Sequence, residues 1–162
     1  MAIIYCDMDG VLAGFKTAAV RTTGMSINKW MNIPSSKEKW SLIKQKKDFW
    51  STLPWMPGGR QLWSYISKFD PHILSAYVEE SFDPNCIPGK TAWLRKNTGL
   101  SNRSKINLVR RKDKKLFAKR GKPSILIDDY EKNVRDFINA GGQAIHHTNT
   151  SKTISQLKRL GF

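Results

Sequence analysis

Polar side chains follow three short apolar stretches of the chain, at the point where each stretch ends. They are Asp7 and Asp9 after AIIYC, Ser75 within HILSA, and Asp128 and Asp129 after SILI. Short apolar runs rich in β-branched residues and followed by polar turns are typical of strands buried in a parallel sheet. Because the carboxyl ends of parallel strands meet at one edge of a sheet, we expect these side chains to share one crevice.

Four of these side chains are carboxylates, and their shared charge limits what the crevice can be. In a partly dehydrated crevice the carboxylates repel one another by several kcal/mol, so they require either protons or a cation. Ligands that are all oxygen favour Mg²⁺, which prefers octahedral coordination and often shares its ligand shell with a substrate phosphate. The sequence therefore predicts a Mg²⁺ site and phosphoryl chemistry.

Apolar stretches with strand character alternate with amphipathic stretches along most of the chain. The predicted strands are 2–6, 72–76, 106–109, 124–127 and 143–146, and the predicted helices are 61–69, 91–97 and 131–140. Strands that alternate with helices indicate an α/β fold, with a parallel sheet covered by helices on both faces.

Residues 16–53 have a different character from the rest of the chain. Tryptophan recurs there among lysines and serines, strand-like runs are few, and Pro34 interrupts helix formation. We interpret this segment as a small helical cap. The cap is inserted into a core formed by residues 1–15 and 54–162.

Length and composition exclude several classes of protein. The chain has 162 residues, 40% of them hydrophobic, which suits one packed core and excludes a large multidomain machine. Two cysteines, Cys6 and Cys86, are too few for a disulfide scaffold or a thiolate zinc site. No apolar run approaches the roughly 18 residues that cross a bilayer. We therefore expect a cytoplasmic protein with no membrane partner.

Positive charge is concentrated in one segment of this basic chain. The formal net charge is +15, and residues 90–122 contain thirteen lysines or arginines against a single acid, Asp113. Such a block attracts phosphates, whether on nucleic acid, on a nucleotide or on a membrane surface. A face that only keeps the protein soluble is the alternative.

The stretch DMDGV at 7–11, directly after a strand, resembles the first motif of the haloacid dehalogenase-like (HAD) phosphohydrolases. The other three motifs of that superfamily match in order: Ser75 at the end of the next core strand, a lysine in RKDKK, and Asp128 with Asp129 after an apolar strand. The resemblance covers essentially the whole chain. It implies a HAD-like parallel sheet with a small helical cap and an enzyme of the phosphomonoesterase class.

Within that superfamily the chain is similar to the 5'(3')-deoxyribonucleotidases and their small phage and bacterial relatives. The similarity rests on DMDGVLAGF at 7–15 and FWSTLPWMP at 49–57. Gly14 and the Ser-Ala-Tyr sequence at 75–77 depart from that family's pattern. The resemblance implies a phosphatase that acts on nucleotides, and it suggests a phage-like gene whose product works in the host cytoplasm.

The resemblance also implies a role for each motif residue. Asp7 would be the nucleophile that forms an aspartyl-phosphate, and Asp9 would be the general acid and base. Ser75, with the neighbouring Ala76, would bind the phosphoryl oxygens. Lys114 would offset negative charge on phosphate and nucleophile, with Lys112 and Lys115 as alternatives for that lysine.

For Mg²⁺, the implied ligands are Asp7, the backbone carbonyl of Asp9, and Asp128. Asp129 would orient a metal-bound water or lie just behind the ligands. The substrate-binding candidates are the aromatics Phe15, Phe49 and Trp50, which would contact a nucleobase. Packing in a buried core is the alternative reading for these three aromatics.

Three functions remain open on the sequence. The leading hypothesis is a Mg²⁺-dependent phosphatase of (deoxy)nucleoside monophosphates that works through an aspartyl-phosphate intermediate. The basic segment favours a second enzyme hypothesis, a phosphatase of polynucleotide ends or of a nucleotide second messenger. A basic nucleic-acid-binding module without turnover is the third. The sequence leaves the base, the sugar, the phosphate position and the oligomeric state open, including a dimer.

Overall fold

The computed structural model of the protein describes residues 2–119 and 121–162, which divide into two compact units. The sheet unit comprises residues 2–13, 55–76, 102–119 and 121–162, and the helical unit comprises Gly14–Pro54 and Tyr77–Ser101. The predicted cap, residues 16–53, lies within the helical unit. This unit also contains the stretch 77–101, and the cap boundaries stay a prediction.

The described part of the sheet unit holds a parallel sheet of five strands. They are β1 (Ile3–Cys6), β2 (His72–Ala76), β3 (Ile106–Val109), β4 (Ser124–Asp128) and β5 (Gln143–His146). The strand order is β3-β2-β1-β4-β5, and every pairing is parallel. The predicted α/β class with a parallel sheet is confirmed, and β2, β3 and β5 have the predicted bounds.

Seen along the chain, α-helices separate or flank the strands. Among the described residues they are α1 (Phe15–Thr23), α2 (Ile27–Met31), α3 (Ser36–Lys44), α4 (Gly59–Ile66), α5 (Cys86–Thr98), α6 (Glu131–Asn139) and α7 (Thr150–Arg159). Short 3₁₀ segments occupy Trp50–Thr52, Ser67–Phe69, Arg103–Lys105 and Arg111–Lys119. Helix α7 was not among the predicted elements. None of the described helices is long and apolar enough to span a membrane.

The strand register brings the candidate residues to one edge of the sheet. Cys6, the last residue of β1, lies opposite Ile127 of β4 and Ile73 of β2. Ala76, the last residue of β2, lies opposite Val109, the last residue of β3. The residues that follow these strands therefore gather at what we call the carboxyl edge.

An apolar cluster holds the Arg111–Lys119 segment against the sheet. Phe117 and Ala118 of this segment pack with Tyr5, Leu74 and other buried side chains of the sheet unit. The rings of Tyr5 and Phe117 meet edge to face with centroids 5.4 Å apart, a favoured geometry for aromatic pairs. The segment is thereby fixed, and with it the lysine that it carries toward the carboxyl edge.

Packing in the helical unit centres on an aromatic cluster. Its members are Phe15, Trp30, Trp40, Phe49 and Trp50, with neighbouring ring centroids 5.0 to 6.1 Å apart. The indole N–H of Trp50 donates a hydrogen bond to Asp83 Oδ2 at 2.7 Å, and both residues are buried. This cluster accounts for the tryptophans that recur in the sequence.

Candidate active site

Three carboxylates of the sheet unit come together at the carboxyl edge. One carboxylate oxygen from each of Asp7, Asp128 and Asp129 lies within 4.8 Å of the other two. Asp7 follows β1, while Asp128 ends β4 and Asp129 follows it, and β1 and β4 are neighbours in the sheet. Asp9, the fourth acid predicted for the crevice, is not part of this three-carboxylate group.

Lys114 lies against two of these acids. Its Nζ is 3.1 Å from Asp7 Oδ1 and 2.8 Å from Asp128 Oδ2, and the lysine is only 2% exposed. Lys112 and Lys115, the alternatives for the third motif, are both exposed. Of the three candidate lysines, Lys114 is therefore the one that contacts the predicted nucleophile.

Several donors fix the orientation of the fully buried Asp128 side chain. The backbone N–H of Tyr130 donates to Oδ1 at 2.9 Å. The ammonium of Lys114 and the side-chain amide of Asn133 donate to Oδ2 at 2.8 and 3.1 Å. Asn133 was not among the predicted site residues, although its place in the first turn of the helix after the acidic pair was a usable signal. The amide positions Asp128 and holds its carboxylate in one orientation.

The loop after β1 is tight because Gly10 adopts a left-handed conformation. Its φ is +80°, and a Cβ at this position would lie 2.1 Å from Asp129 Oδ2. The backbone N–H groups of Leu12 and Ala13 both donate to Met8 O, which closes the loop. Only glycine combines this backbone conformation with room for Asp129.

Burial and mutual repulsion shift the proton affinities of the acids. Burial raises the pKa of Asp129 to about 7, with further increases from the charges of Asp7 and Asp128. Burial and the charge of Asp7 raise the pKa of Asp128 to about 6, although Lys114 opposes this. The cluster therefore holds protons more readily than ordinary carboxylates do.

The proton on Lys114 is held firmly despite its burial. Desolvation alone would lower the pKa of this lysine, but the charges of Asp7 and Asp128 outweigh it and raise the pKa above its ordinary value. One permanent positive charge therefore faces three acids. The remaining negative charge and the all-oxygen donor set fit a hard divalent cation such as Mg²⁺, which Asp7, Asp128 and Asp129 would hold.

The predicted phosphate-binding residues lie beside this cluster in the sheet. Ser75 is buried and belongs to β2, two residues beyond Ile73, which pairs with the end of β1. Ala76 follows at the end of β2. Their predicted contacts with phosphoryl oxygens, like the acid and base role of Asp9 and the metal contact of its carbonyl, stay predictions.

The predicted nucleobase contacts lie in the helical unit. Phe49 and Trp50 are each 1% exposed within the aromatic cluster, whereas Phe15 is partly exposed. Phe15 stacks on Trp50 with ring centroids 5.4 Å apart and planes 20° from parallel. Packing in the cluster explains the burial of Phe49 and Trp50 without a ligand. Of these three aromatics, Phe15 has a partly exposed side chain that a ligand could contact.

Two histidines near the acids contact the backbone at the end of β4. The backbone N–H of His147 donates to Asp128 O at 2.8 Å, and its ring Nδ1 lies 2.7 Å from Thr153 Oγ1. The ring Nε2 of His146 lies 3.0 Å from Asp129 O. Burial, with a smaller effect of His146, lowers the pKa of His147, which favours its neutral form.

Comparisons with known proteins agree with this architecture. Neither a protein-family model nor a curated protein matches the chain. A hydrolase from Streptococcus pneumoniae superposes with a TM-score of 0.57 at 11% identity, covering 96% of this chain and 97% of that one. L-2-haloacid dehalogenase from Xanthobacter autotrophicus superposes with a TM-score of 0.58 at 12% identity, covering 100% of this chain and 84% of that one.

A third similar structure was solved with ligands. It is a HAD-family enzyme from Bacteroides thetaiotaomicron in complex with magnesium and inorganic phosphate, with a TM-score of 0.53 at 14% identity, covering 97% of this chain and 98% of that one. At these identities the likeness defines the fold. The chain therefore has the fold of HAD hydrolases, which the order of its sequence motifs predicted.

Proposed function

We propose that the protein is a Mg²⁺-dependent phosphomonoesterase that hydrolyses (deoxy)nucleoside monophosphates through an aspartyl-phosphate on Asp7. The observation that carries the proposal is the group of Asp7, Asp128 and Asp129 oxygens within 4.8 Å, with Lys114 against two of these acids. The complex of a structurally similar HAD-family enzyme with magnesium and phosphate supports the same chemistry.

The reaction consists of two displacements at phosphorus. A carboxylate oxygen of Asp7 forms a bond to phosphorus while the ester P–O bond breaks, and the leaving alkoxide takes a proton from Asp9. Water then attacks phosphorus and gives a proton to Asp9 while the P–O bond to Asp7 breaks. Inorganic phosphate leaves, and the Asp7 carboxylate and the Asp9 acid are restored.

Positive charge and hydrogen-bond donors lower the barrier of both steps. The ammonium of Lys114, 3.1 Å from Asp7 Oδ1, lets the anionic phosphoryl group approach an anionic nucleophile. Ser75 and the backbone of Ala76 would bind the phosphoryl oxygens. Mg²⁺, when bound, would supply further positive charge to these oxygens.

The choice of a nucleotide as substrate rests on sequence similarity rather than on the acid cluster. DMDGVLAGF at 7–15 and FWSTLPWMP at 49–57 carry that similarity. Phe15, with its partly exposed ring, is the residue we propose for contact with the base. Replacing Phe15 by Leu should then raise KM for nucleotides more than KM for sugar phosphates.

A phosphate-release screen tests the proposed function. The substrates are 5' and 3' mononucleotides, sugar phosphates and end-phosphorylated oligonucleotides, each with Mg²⁺ and with EDTA. We expect release from mononucleotides with Mg²⁺ and none in EDTA, with Asp128→Ala requiring more Mg²⁺ for half-maximal rate. Full activity in EDTA, or no release from any nucleotide, would refute the proposal. A cytoplasmic location and the oligomeric state stay predictions.

A further inference from the structure

Part of the basic segment runs along the carboxyl edge beside the acid cluster. Arg110 directly follows Val109, which lies opposite Ala76 at the end of β2. Four residues later, Lys114 contacts Asp128 at the end of β4. Residues 110–114 therefore extend from the end of β3 to the end of β4, past the site where phosphoryl transfer is proposed.

An arginine and a tyrosine pair on the outer side of this segment. The guanidinium carbon of Arg111 lies 5.5 Å from the ring centroid of Tyr130, a cation–π contact. Tyr130 is 49% exposed, and its backbone N–H donates to Asp128 Oδ1 at 2.9 Å. The exposed Tyr130 ring therefore lies close to the acid cluster, because the backbone of the same residue contacts Asp128.

We call four residues the rim: Arg110, Arg111, Lys112 and Tyr130, all of which are exposed. Four other cations of the sheet unit lie in different places from the rim. Lys114 is buried among the acids, and Lys105 forms an ion pair with Asp70. Arg103 and Lys122 precede β3 and β4, at the opposite edge of the sheet. The basic segment is therefore not one uniform surface.

A nucleoside monophosphate uses little of this rim. Its single phosphate would be bound by the acid cluster with its cation and by Lys114. The rim cations would then lie beyond the single phosphate of the substrate, whereas each further nucleotide of a polynucleotide brings another phosphate toward them. An exposed aromatic ring beside clustered cations is the combination that binds single strands, because cations contact the backbone and rings stack on bases.

We propose that the site also removes the terminal phosphate of single-stranded nucleic acid, with the rim binding the nucleotides next to that end. The proposal rests on the proposed phosphatase function. Water and the phosphorylated end give inorganic phosphate and a polynucleotide with a free terminal hydroxyl. Arg110, Arg111 and Lys112 would contact backbone phosphates, and Tyr130 would stack on a base.

Two charge-matched double variants test the role of the rim. R111Q/K112Q removes one arginine and one lysine from the rim, and R103Q/K122Q removes one of each from the opposite edge. The probes are an oligothymidylate of about eight nucleotides, phosphorylated at either end, and the matching thymidine monophosphate. The measured quantity is kcat/KM for the oligonucleotide divided by kcat/KM for the mononucleotide in the same protein.

We expect the unmodified protein to release phosphate from the oligonucleotide. R111Q/K112Q should lower the kcat/KM ratio by roughly tenfold or more, whereas R103Q/K122Q should stay close to the unmodified protein. The log–log dependence of oligonucleotide binding on salt, followed by fluorescence anisotropy, should become shallower by about 0.7 per lost phosphate contact in the rim variant only.

Several results would overturn the proposal without touching the proposed function. Release of phosphate from the mononucleotide but not from the oligonucleotide is one. Equal effects of the two double variants on oligonucleotide binding are another, because charge alone would then explain the affinity. By contrast, absence of turnover with every nucleotide would refute the phosphatase function, and the anisotropy comparison would still decide whether the rim binds a single strand.

Discussion

The protein buries two clusters of side chains with opposite physical character. In the sheet unit, Asp7, Asp128 and Asp129 lie within 4.8 Å of one another, and the pKa of both Asp128 and Asp129 is raised. In the helical unit, Phe15 and Trp50 stack within an aromatic cluster whose ring pairs each contribute roughly 0.5 to 1.5 kcal/mol beyond their burial. The first cluster costs folding free energy, and the second supplies it.

The difference between the two clusters indicates a chemical role for the acid cluster and a stabilising role for the aromatic cluster. Like charges remain together at a cost only where chemistry needs them, since apolar residues would pack there without repulsion. Aromatic packing needs no such explanation. Substitutions in the acid cluster should therefore reduce activity more than stability, and substitutions in the aromatic cluster should lower stability first.

The largest effect is expected at the nucleophile. An amide at position 7 cannot attack phosphorus, so Asp7→Asn should lower kcat for mononucleotide hydrolysis by roughly 10³-fold or more. The same change removes one of the repelling charges but also weakens the contact with the buried Lys114 ammonium, so Tm in EDTA should change little. Phosphate release and thermal unfolding of the two proteins measure both effects. Activity within about tenfold of the unmodified protein, with contaminating phosphatase excluded, would contradict the assignment of Asp7.

The strongest stability effect is expected in the aromatic cluster. Trp50→Ala removes a fully buried ring and should lower the free energy of unfolding by about 3 to 5 kcal/mol. Trp50→Phe keeps much of the packing but removes the donor to Asp83 Oδ2, so its loss should be smaller. Urea unfolding of both variants gives the comparison. Equal stability of Trp50→Ala and the unmodified protein would show that the cluster does not stabilise the helical unit.

Substitution of Gly10, in the loop after β1, tests whether crowding of Asp129 affects the site in addition to backbone strain. Gly10→Ala places a Cβ 2.1 Å from Asp129 Oδ2 at a φ of +80°, so Asp129 must move and the affinity for Mg²⁺ should fall. Gly99 has a φ of +73° with nothing within 4 Å of its Cβ position, so Gly99→Ala carries the strain alone. Titration of activity with Mg²⁺ should show weaker Mg²⁺ binding in Gly10→Ala than in Gly99→Ala. Equal Mg²⁺ affinity of the two variants would mean that crowding of Asp129 has no effect and that backbone strain is the sole cause.

The smallest effect concerns the pH dependence of stability in EDTA. The pKa of Asp129 is about 7 in the folded protein and near 4 when unfolded, so its ionisation costs stability as pH rises from about 4 to 7. Asp129→Asn should therefore have a higher Tm than the unmodified protein at about pH 8, with the difference shrinking toward pH 5.

An exposed acid provides the control for this pH dependence. A hydrogen bond from Lys105 and its charge lower the pKa of Asp70, so Asp70 stabilises the folded protein above about pH 4. Asp70→Asn should slightly lower Tm at about pH 8. A Tm of Asp129→Asn that stays below that of the unmodified protein from about pH 5 to pH 8 would contradict the repulsion among the three acids.

Local sequence patterns were enough to predict the strands and to bring Asp7, Asp128 and Asp129 to one edge of the sheet. A strand followed by acids has a local signature, so Asp7 and Asp128 could be assigned to the carboxyl edge before their contacts were known. These features depend on neighbours in sequence, and β2, β3 and β5 accordingly have the predicted bounds.

Features that depend on contacts between distant residues could not be predicted in this way. The fit of Gly10 against Asp129 requires β1 and β4 to be adjacent, which no local pattern specifies. The contact of Arg111 with the Tyr130 ring likewise joins residues that are distant in sequence, so no local pattern predicts it. Charge counting likewise could not separate Arg110, Arg111 and Lys112 from Arg103, because Arg103 precedes β3 and the three rim cations follow it.

The most direct test of the central claim is to trap the phosphorylated enzyme. Protein turning over a mononucleotide with Mg²⁺ is quenched in acid, digested and examined by mass spectrometry for a phosphoryl group on the peptide that contains Asp7. We predict this modification in the unmodified protein and in none of the Asp7→Asn protein. Release of phosphate at undiminished rate by Asp7→Asn, with no phosphoryl group on the Asp7 peptide of the unmodified protein, would contradict the account.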